Sequence, residues 1–197
     1  MEKVHIIPGL TVDREMYESA LAGLAEHAHE QTLTWARFTS EDAWTLVPDP
    51  DGFGYKAELV LRRSADVTIK VNLWRGPDLR DGERPTPHGH PWPFTAHVLL
   101  GGYDEQRYGL LDGKVSTTTM THRAGGANHL PLHVFHEVTR IHEPGRTVTL
   151  MICGKGTKGD WGYLDPETGT ITPNQDVSGP TFRQRMVAIN PRMQKIQ

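Results

Sequence analysis

From Gly52 onward the chain is cut into short extended-looking runs separated by turn residues, which leaves room for little except an antiparallel β structure. Tyr55 to Arg63 and Val67 to Trp74 alternate or run apolar, with Ser64-Ala65-Asp66 as the polar break between them. Phe94 to Gly101 reads as another strand. Leu110-Leu111-Asp112-Gly113-Lys114-Val115 carries a two-residue hairpin signal, because Asp-Gly takes the positive φ angles of a type I′ turn. Val134 to His142, Thr147 to Cys153 and Trp161 to Leu164 continue the series, with Glu143-Pro144-Gly145 and Pro166-Glu167-Thr168-Gly169 as turns. Many short strands with regular punctuation imply a mainly β fold, a jelly roll or small barrel over residues 52–172.

The flanks read differently. Within 13–31, Met16, Ala20, Leu24 and Ala28 fall four apart with Tyr17 and Leu21 beside them, the pattern of an amphipathic helix that Thr11 or Asp13 can cap. Ser40 can cap a shorter helix through Trp44 and Leu46, which Pro48 stops. Residues 1–50 are therefore expected as a helical N-terminal segment. The tail, 173–197, sets Arg183, Arg185, Arg192 and Lys195 around Phe182, Met186, Val187 and Ile189, and is expected to pack on the barrel or on a second subunit of a homodimer.

Length and charge narrow the function. A chain of 197 residues is expected to form one domain with a sizeable core. A formal net charge of −3 gives no long-range pull toward nucleic acid or an anionic membrane, and no basic stripe or DNA-binding helix pair is evident. The N-terminus lacks the apolar run of a secretory signal, and no stretch approaches the length that spans a bilayer. The single cysteine, Cys153, excludes an internal disulfide framework and fits a reducing compartment, so a cytoplasmic location is expected.

Histidine is the anomaly. Of 11 histidines, eight lie within 55 residues: His88, His90, His97, His122, His129, His133, His136 and His142. Two histidines one residue apart on an extended segment project to the same side, so His88 and His90 can hold one metal ion with little strain. Their surroundings are regularly spaced: Gly82, five residues, His88, one residue, His90, four residues, Thr95, six residues, Gly102. A second set follows downstream: Gly125, five residues, Pro131, one residue, His133, two residues, His136, three residues, Arg140.

These spacings resemble the two motifs of the cupins. The resemblance implies a cupin-type jelly roll with His88, His90 and His136 as metal ligands. Thr95 then stands for the family's glutamate, His133 for an internal glycine and Arg140 for a closing asparagine. Three neutral imidazoles leave a divalent ion with its full charge and with open coordination sites, which favours a small, bidentate, anionic substrate. Three-histidine sites also hold zinc, and imidazole suits several metals.

The chain is similar in particular to the cysteine dioxygenase branch of the cupins, over about Tyr55 to Thr172. The likeness includes Trp74, the His88/His90 pair, Gly102-Tyr103-Asp104-Glu105, His136-Glu137-Val138 and the turn Leu164-Asp165-Pro166-Glu167-Thr168-Gly169. Members of that branch carry three histidines and no metal carboxylate. Fe(II) is accordingly the expected cofactor, with Zn, Ni, Mn or Cu as alternatives, and O2 the expected co-substrate. In that branch an arginine two residues after a tyrosine grips the substrate carboxylate; here the tyrosine corresponds to Tyr55 and the arginine position to Ala57. Tyr55, Ala57, Leu59 and Leu61 would share one apolar face, and Lys56, Arg62 or Arg63 substitutes only if the register slips by one. The branch's catalytic tyrosine falls near Met151, Ile152 and Cys153, so cysteine is not the expected substrate.

Other residues carry alternatives. His97, two residues past Thr95, offers either an acid-base group in the pocket or a buried core histidine. Arg140 would share the face of His136 and either clamp a carboxylate or form an ion pair at the barrel rim. Trp74, Trp92, Phe94 and Trp161 line an aromatic pocket or are simply core. His133 either covers the pocket mouth, serves as an alternative ligand or, with His129, is an exposed loop residue, and His122 and His142 read as surface or strand-end residues. The candidate set is thus His88, His90 and His136 for metal, His97 for catalysis, and Tyr55, Trp74, Trp92, Thr95 and Arg140 for substrate. It suits a mononuclear non-haem iron(II) oxygenase acting on a small anionic metabolite. The alternatives are a metal-dependent isomerase, cyclase or lyase with His97 as base, and a non-catalytic cupin that retains a small ligand.

Overall fold

The computed structural model describes residues 3–7, 9–29, 32–49, 52–78, 86–157, 161–173, 180–190 and 193. Gly82 of the first motif, and Arg192 and Lys195 of the tail, lie outside the described residues.

The N-terminal segment is not purely helical. Lys3–Ile7 (β1) and Leu10–Asp13 (β2) pair as an antiparallel hairpin. Asp13 then caps Arg14–His27 (α1), its Oδ1 accepting the Met16 N–H at 3.0 Å. The helix stops short of residue 31 because Ala28 leaves the helical region at φ −145°. A short helix, Trp35–Phe38 (α2), and one 3₁₀ turn at Glu41–Ala43 follow. Ser40 makes no side-chain cap, and Trp44–Pro48 is a strand (β3) where a helix was expected. Its burial alternates, with Trp44, Leu46 and Pro48 inside, so the period of two prevails over the capping signal.

The remaining strands are Gly54–Arg63 (β4), Thr68–Trp74 (β5), Phe94–Leu100 (β6), Gly102–Leu111 (β7), Lys114–Arg123 (β8), Ala127–Leu130 (β9), Phe135–Ile141 (β10), Thr147–Cys153 (β11), Gly162–Leu164 (β12) and Ile171–Pro173 (β13). The β7–β8 turn is the expected one, with Asp112 at φ 50° and Gly113 at φ 72°. The strands assemble into a six-stranded sheet ordered β3-β4-β5-β11-β6-β9 and a three-stranded sheet ordered β10-β7-β8. No closed barrel forms among the described residues; the two antiparallel sheets face each other as a jelly roll does.

The six-stranded sheet has two unlike faces. Ala57, Leu59, Val71, Leu73, Val148 and Leu150 pack with α1, the N-terminal hairpin and Phe38 into the larger core. Toward the smaller sheet, Tyr55, Trp74 and Val98 meet Tyr103, Val138 and Ile141, with Trp74 and Tyr103 stacked at 6.0 Å between ring centroids. A second inner cluster joins Phe94, Ala96, Leu130, Met151 and Cys153. The tail forms a helix, Pro180–Ile189 (α3), which docks on the same subunit. Asn190, just beyond it, accepts the Leu46 N–H (2.8 Å) and donates to the Leu46 carbonyl (2.9 Å), capping the edge of β3.

Candidate metal centre

The His88/His90 segment is held between two strands rather than being a strand itself. The backbones of His88 and His136 exchange both N–H···O bonds at 3.0 Å, and Gly89 and Leu164 bond to Gly162 and Pro87 on the β12 side. This extended geometry sends both histidine side chains to one side, where His136 meets them from β10. One nitrogen of each of His88, His90 and His136 lies within 4.8 Å of the others, a spacing that lets one ion be held between them. The Nε2 atoms of His90 and His136 are 2.9 Å apart. His88 and His136 are buried and His90 is half-buried.

Carboxylates set the orientation of these rings. Glu105 on β7 is wholly buried, and its Oε1 lies 2.6 Å from His136 Nδ1. Its Oε2 lies 2.9 Å from His122 Nε2 and accepts from Arg107 Nε at 2.9 Å. Burial works against the charge on Glu105, yet the hydrogen bonds from His122 and His136 and the nearby Arg107 hold its carboxyl well below the usual range. An ionised Glu105 accepts a hydrogen bond from the Nδ1–H of His136, which directs the lone pair of Nε2 at the cluster. Glu137 anchors the start of the segment, accepting the Thr86 N–H (2.6 Å) and the Tyr108 hydroxyl (3.2 Å). Asp78 Oδ2 stands 3.6 Å from His88 Nε2. Burial, then the charges of His88 and His136, then Lys56 and Lys70, push His90 well below an ordinary histidine, so it stays neutral and able to ligate.

The structure places the other expected residues unevenly. Phe94 faces the cluster, its ring 5.1 Å from His90 and 5.9 Å from His136 between centroids. Thr95 therefore points to the opposite face, where its hydroxyl lies 3.2 Å from His129 Nδ1 at an exposed position. The residue facing the histidines in place of a motif carboxylate is Phe94, not Thr95. His97 follows the parity of Thr95. Its ring stacks on His27 of α1, 3.6 Å between centroids and 9° from parallel, which removes it from the pocket. Arg140 also turns outward and is exposed. A β-bulge between Val138 and Arg140 adds one residue to β10, so Val138 and Ile141 face in and Arg140 does not.

Tyr55 and Trp74 lie in the inner core beside Tyr103, and Trp74 Nε1 donates to Thr149 Oγ1 at 3.1 Å. Trp92 joins Phe94 as an expected aromatic beside the histidines, 6.2 Å from His90 between centroids, and its buried Nε1 has no partner among the described residues. His133 is exposed, as a loop histidine should be, whereas His129, also exposed, is not in a loop but on β9, paired with Thr95. His122 is instead buried and braces Glu105, while His142 Nε2 lies 2.9 Å from Asp104 Oδ1. Glu105 and Glu137 stand inside the short runs that resemble the cysteine dioxygenase branch, but no spacing rule marked either as a support for a ligand. Lys56, expected only with a slipped register, faces inward beside Glu58 and Lys70.

No protein-family profile and no curated protein matches the chain. Solved structures do overlap with it. A protein provisionally described as a mannose-6-phosphate isomerase from Ralstonia eutropha JMP134 shares 20% identity over 56% of this chain and 92% of its own, with a TM-score of 0.42. Recombinant oxalate oxidase in complex with glycolate shares 17% identity over 57% of this chain and 56% of its own, at 0.43. The Fe(II) form of HppE shares 18% over 57% of each chain, at 0.41. Overlaps this loose carry no functional argument. The site is read from its own residues.

Proposed function

We propose that the chain is a mononuclear metal-dependent enzyme, with His88, His90 and His136 as the protein ligands and a small anionic metabolite as substrate. The observation that carries this reading is the convergence of three imidazole nitrogens, one of them oriented by a buried, ionised Glu105. A hydrogen-bonded carboxylate behind a histidine makes the ring a better donor and fixes its tautomer, which a merely packed histidine does not need. Among the described residues, no carboxylate joins the three-histidine group. The donor set therefore fits a divalent ion that keeps its charge and has coordination sites left for substrate.

The preferred metal is Fe(II) and the preferred reaction an oxygenation with O2, in keeping with the resemblance to three-histidine cupins. When bound, such an ion supplies Lewis acidity and one-electron chemistry toward dioxygen. The chain's own residues provide the rest. Glu105 holds His136 in one tautomer, Phe94 covers one side of the cluster with an apolar ring, and Trp92 offers an unpaired N–H beside His90. His97 lies on the far side of the sheet and has no part in this reading, which weakens the isomerase alternative that relied on it as base.

Metal analysis of protein expressed without added metal, followed by oxygen uptake after anaerobic Fe(II) loading and exposure to small carboxylates, tests the reading. Iron near one per chain, with uptake that depends on both iron and carboxylate, supports it. Zinc alone with no oxygen uptake points to Lewis-acid chemistry. Failure to retain any divalent ion removes the proposal.

A further inference from the structure

Glu105, which orients His136, stands in the middle of a row on β7. Tyr103, Glu105 and Arg107 fall two apart along the strand and so share its inner side. The two flanking residues reach across to β9, the edge strand of the other sheet. Arg107 Nη2 donates to Asn128 Oδ1 and, at 3.0 Å, to the His129 carbonyl, while Arg107 Nε donates to Glu105 Oε2 at 2.9 Å. Asn128 Nδ2 donates in turn to the Tyr103 hydroxyl at 2.8 Å. Asn128 is 1% exposed, and both ends of its amide are used.

This bridge lies where the backbone provides none. β9 is four residues long and pairs with β6; among the described residues no ladder joins it to β7 or β8. A short edge strand paired on one side opens more readily than the core. Yet β9 matters at the metal centre, because Leu130 lies opposite Phe94 in register and packs with it, and Phe94 faces His90 and His136. The planar fork of a guanidinium serves three acceptors at fixed angles, which an ammonium on a flexible stem does not. Glu105 is the shared element. Its Oε2 is held by Arg107 and His122, and its Oε1 meets His136. A displacement of Arg107 with β9 is therefore passed to the carboxylate that orients the ligand.

We propose that Arg107 is a positioning residue that couples closure of β9 onto the three-stranded sheet to the orientation of His136, so that metal binding and the closed seam stabilise each other. The proposal rests on the metal-dependent reading above. The two states differ in named contacts. With the seam closed, Arg107 is fixed by Asn128, the His129 carbonyl and Glu105 together; with it open, the two acceptors on β9 turn to water and Glu105 is held by His122 and a loose Arg107. Such coupling is reciprocal: the factor by which a bound ion favours closure is the factor by which closure favours the ion.

The test compares the full chain, metal-free and loaded with Zn(II), by hydrogen–deuterium exchange, and measures Zn(II) affinity by calorimetry. In the wild type the amides of Ala127–Leu130 should exchange about fivefold or more slowly once Zn(II) is bound, the low end of coupling between linked sites. That protection should vanish in Arg107→Met and shrink in Asn128→Leu at saturating Zn(II). Affinity should fall in both variants, while exchange in β5 and β11 stays as in the wild type. The visible bands of the Co(II)-loaded protein should move in Arg107→Met, because they report the ligand field that His136 helps to set. Zn(II) bound by the wild type without added protection of β9 overturns the coupling and needs no variant. Full metal-dependent protection in Arg107→Met, or wild-type protection and affinity in Asn128→Leu, overturns it equally. A wild type that takes up no divalent ion overturns the metal reading itself, a result distinct from an ion bound without response at β9.

Discussion

Along β4 and β5 the residues that face α1 are Ala57, Leu59, Val71 and Leu73, all buried and apolar, whereas those on the other side are Lys56, Glu58, Lys70 and Asn72. The same two strands thus build a hydrophobic core on one face and a polar wall on the other. Side-chain alternation makes this possible without any change of backbone. The contrast teaches how stability and chemistry are divided in this molecule. The outer face holds the sheet to the N-terminal elements. The inner face carries buried charged and amide groups, where each unpaired group is expensive and therefore informative.

The comparison is broken most severely on the outer face. Leu150, wholly buried in the central strand β11, should cost about 2–5 kcal/mol when replaced by alanine, read from denaturant unfolding. Metal stoichiometry of the folded Leu150→Ala protein should be unchanged, because the side chain faces α1 and not the histidines.

The inner face contributes stability in a pH-dependent way. Burial alone would push the Glu58 carboxyl up, but the charges and hydrogen bonds of Lys70 and Lys56 override it and hold it at about 2, against an ordinary 4.5. Because the unfolded chain binds the proton more readily, this stabilisation is fully present above about pH 4.5 and is lost as pH falls toward about 2. The shift corresponds to on the order of 3 kcal/mol. Unfolding free energies of wild type and Glu58→Gln between pH 6 and pH 2.5 should converge at the acid end, where a constant difference would contradict the pairing.

A smaller effect sharpens the role of Glu105. Glu105→Gln keeps the shape but removes the ionised acceptor behind His136, so divalent-metal affinity should fall about 10–100-fold, some 1.4–2.7 kcal/mol. Calorimetric titration with Zn(II) reads this directly. Unchanged affinity would mean that the 2.6 Å contact does not tune the ligand.

The smallest effect is the parity test. Thr95→Val should leave metal binding within error, whereas Phe94→Glu, one residue earlier and facing the rings, should alter it. Equal sensitivity at both positions would contradict the inward direction of Phe94.

Much of this arrangement was legible in the sequence. The strands within 55–74, 94–101, 134–153 and 161–164 and the Asp112-Gly113 turn follow from local patterns that the fold preserves, the grouping of His88, His90 and His136 follows from motif spacing, and β9 at Ala127–Leu130 has no such local signal. What failed depended on parity or on distant partners. Motif spacing points Thr95 and His97 into the pocket, but a single step reverses the face of a strand, and it is Phe94 that faces the histidines. Arg140 was turned outward by a bulge that leaves no mark in composition. Trp44–Pro48 was masked by a plausible cap and a proline, and its strand pairing is with β4 and with Asn190, far away in sequence. Glu105 and Glu137 lie inside the motif segments, yet their roles emerge only when β7 and β10 lie side by side.

The central claim is that His88, His90 and His136 together hold one metal ion. Anaerobic titration of metal-free protein with Fe(II), followed by calorimetry, tests it most directly when run beside alanine variants of each histidine. The account predicts one equivalent bound by the wild type and loss of that binding in His88→Ala, His90→Ala and His136→Ala, with each variant still folded by circular dichroism. A full equivalent bound with wild-type affinity by any of the three folded variants would contradict it.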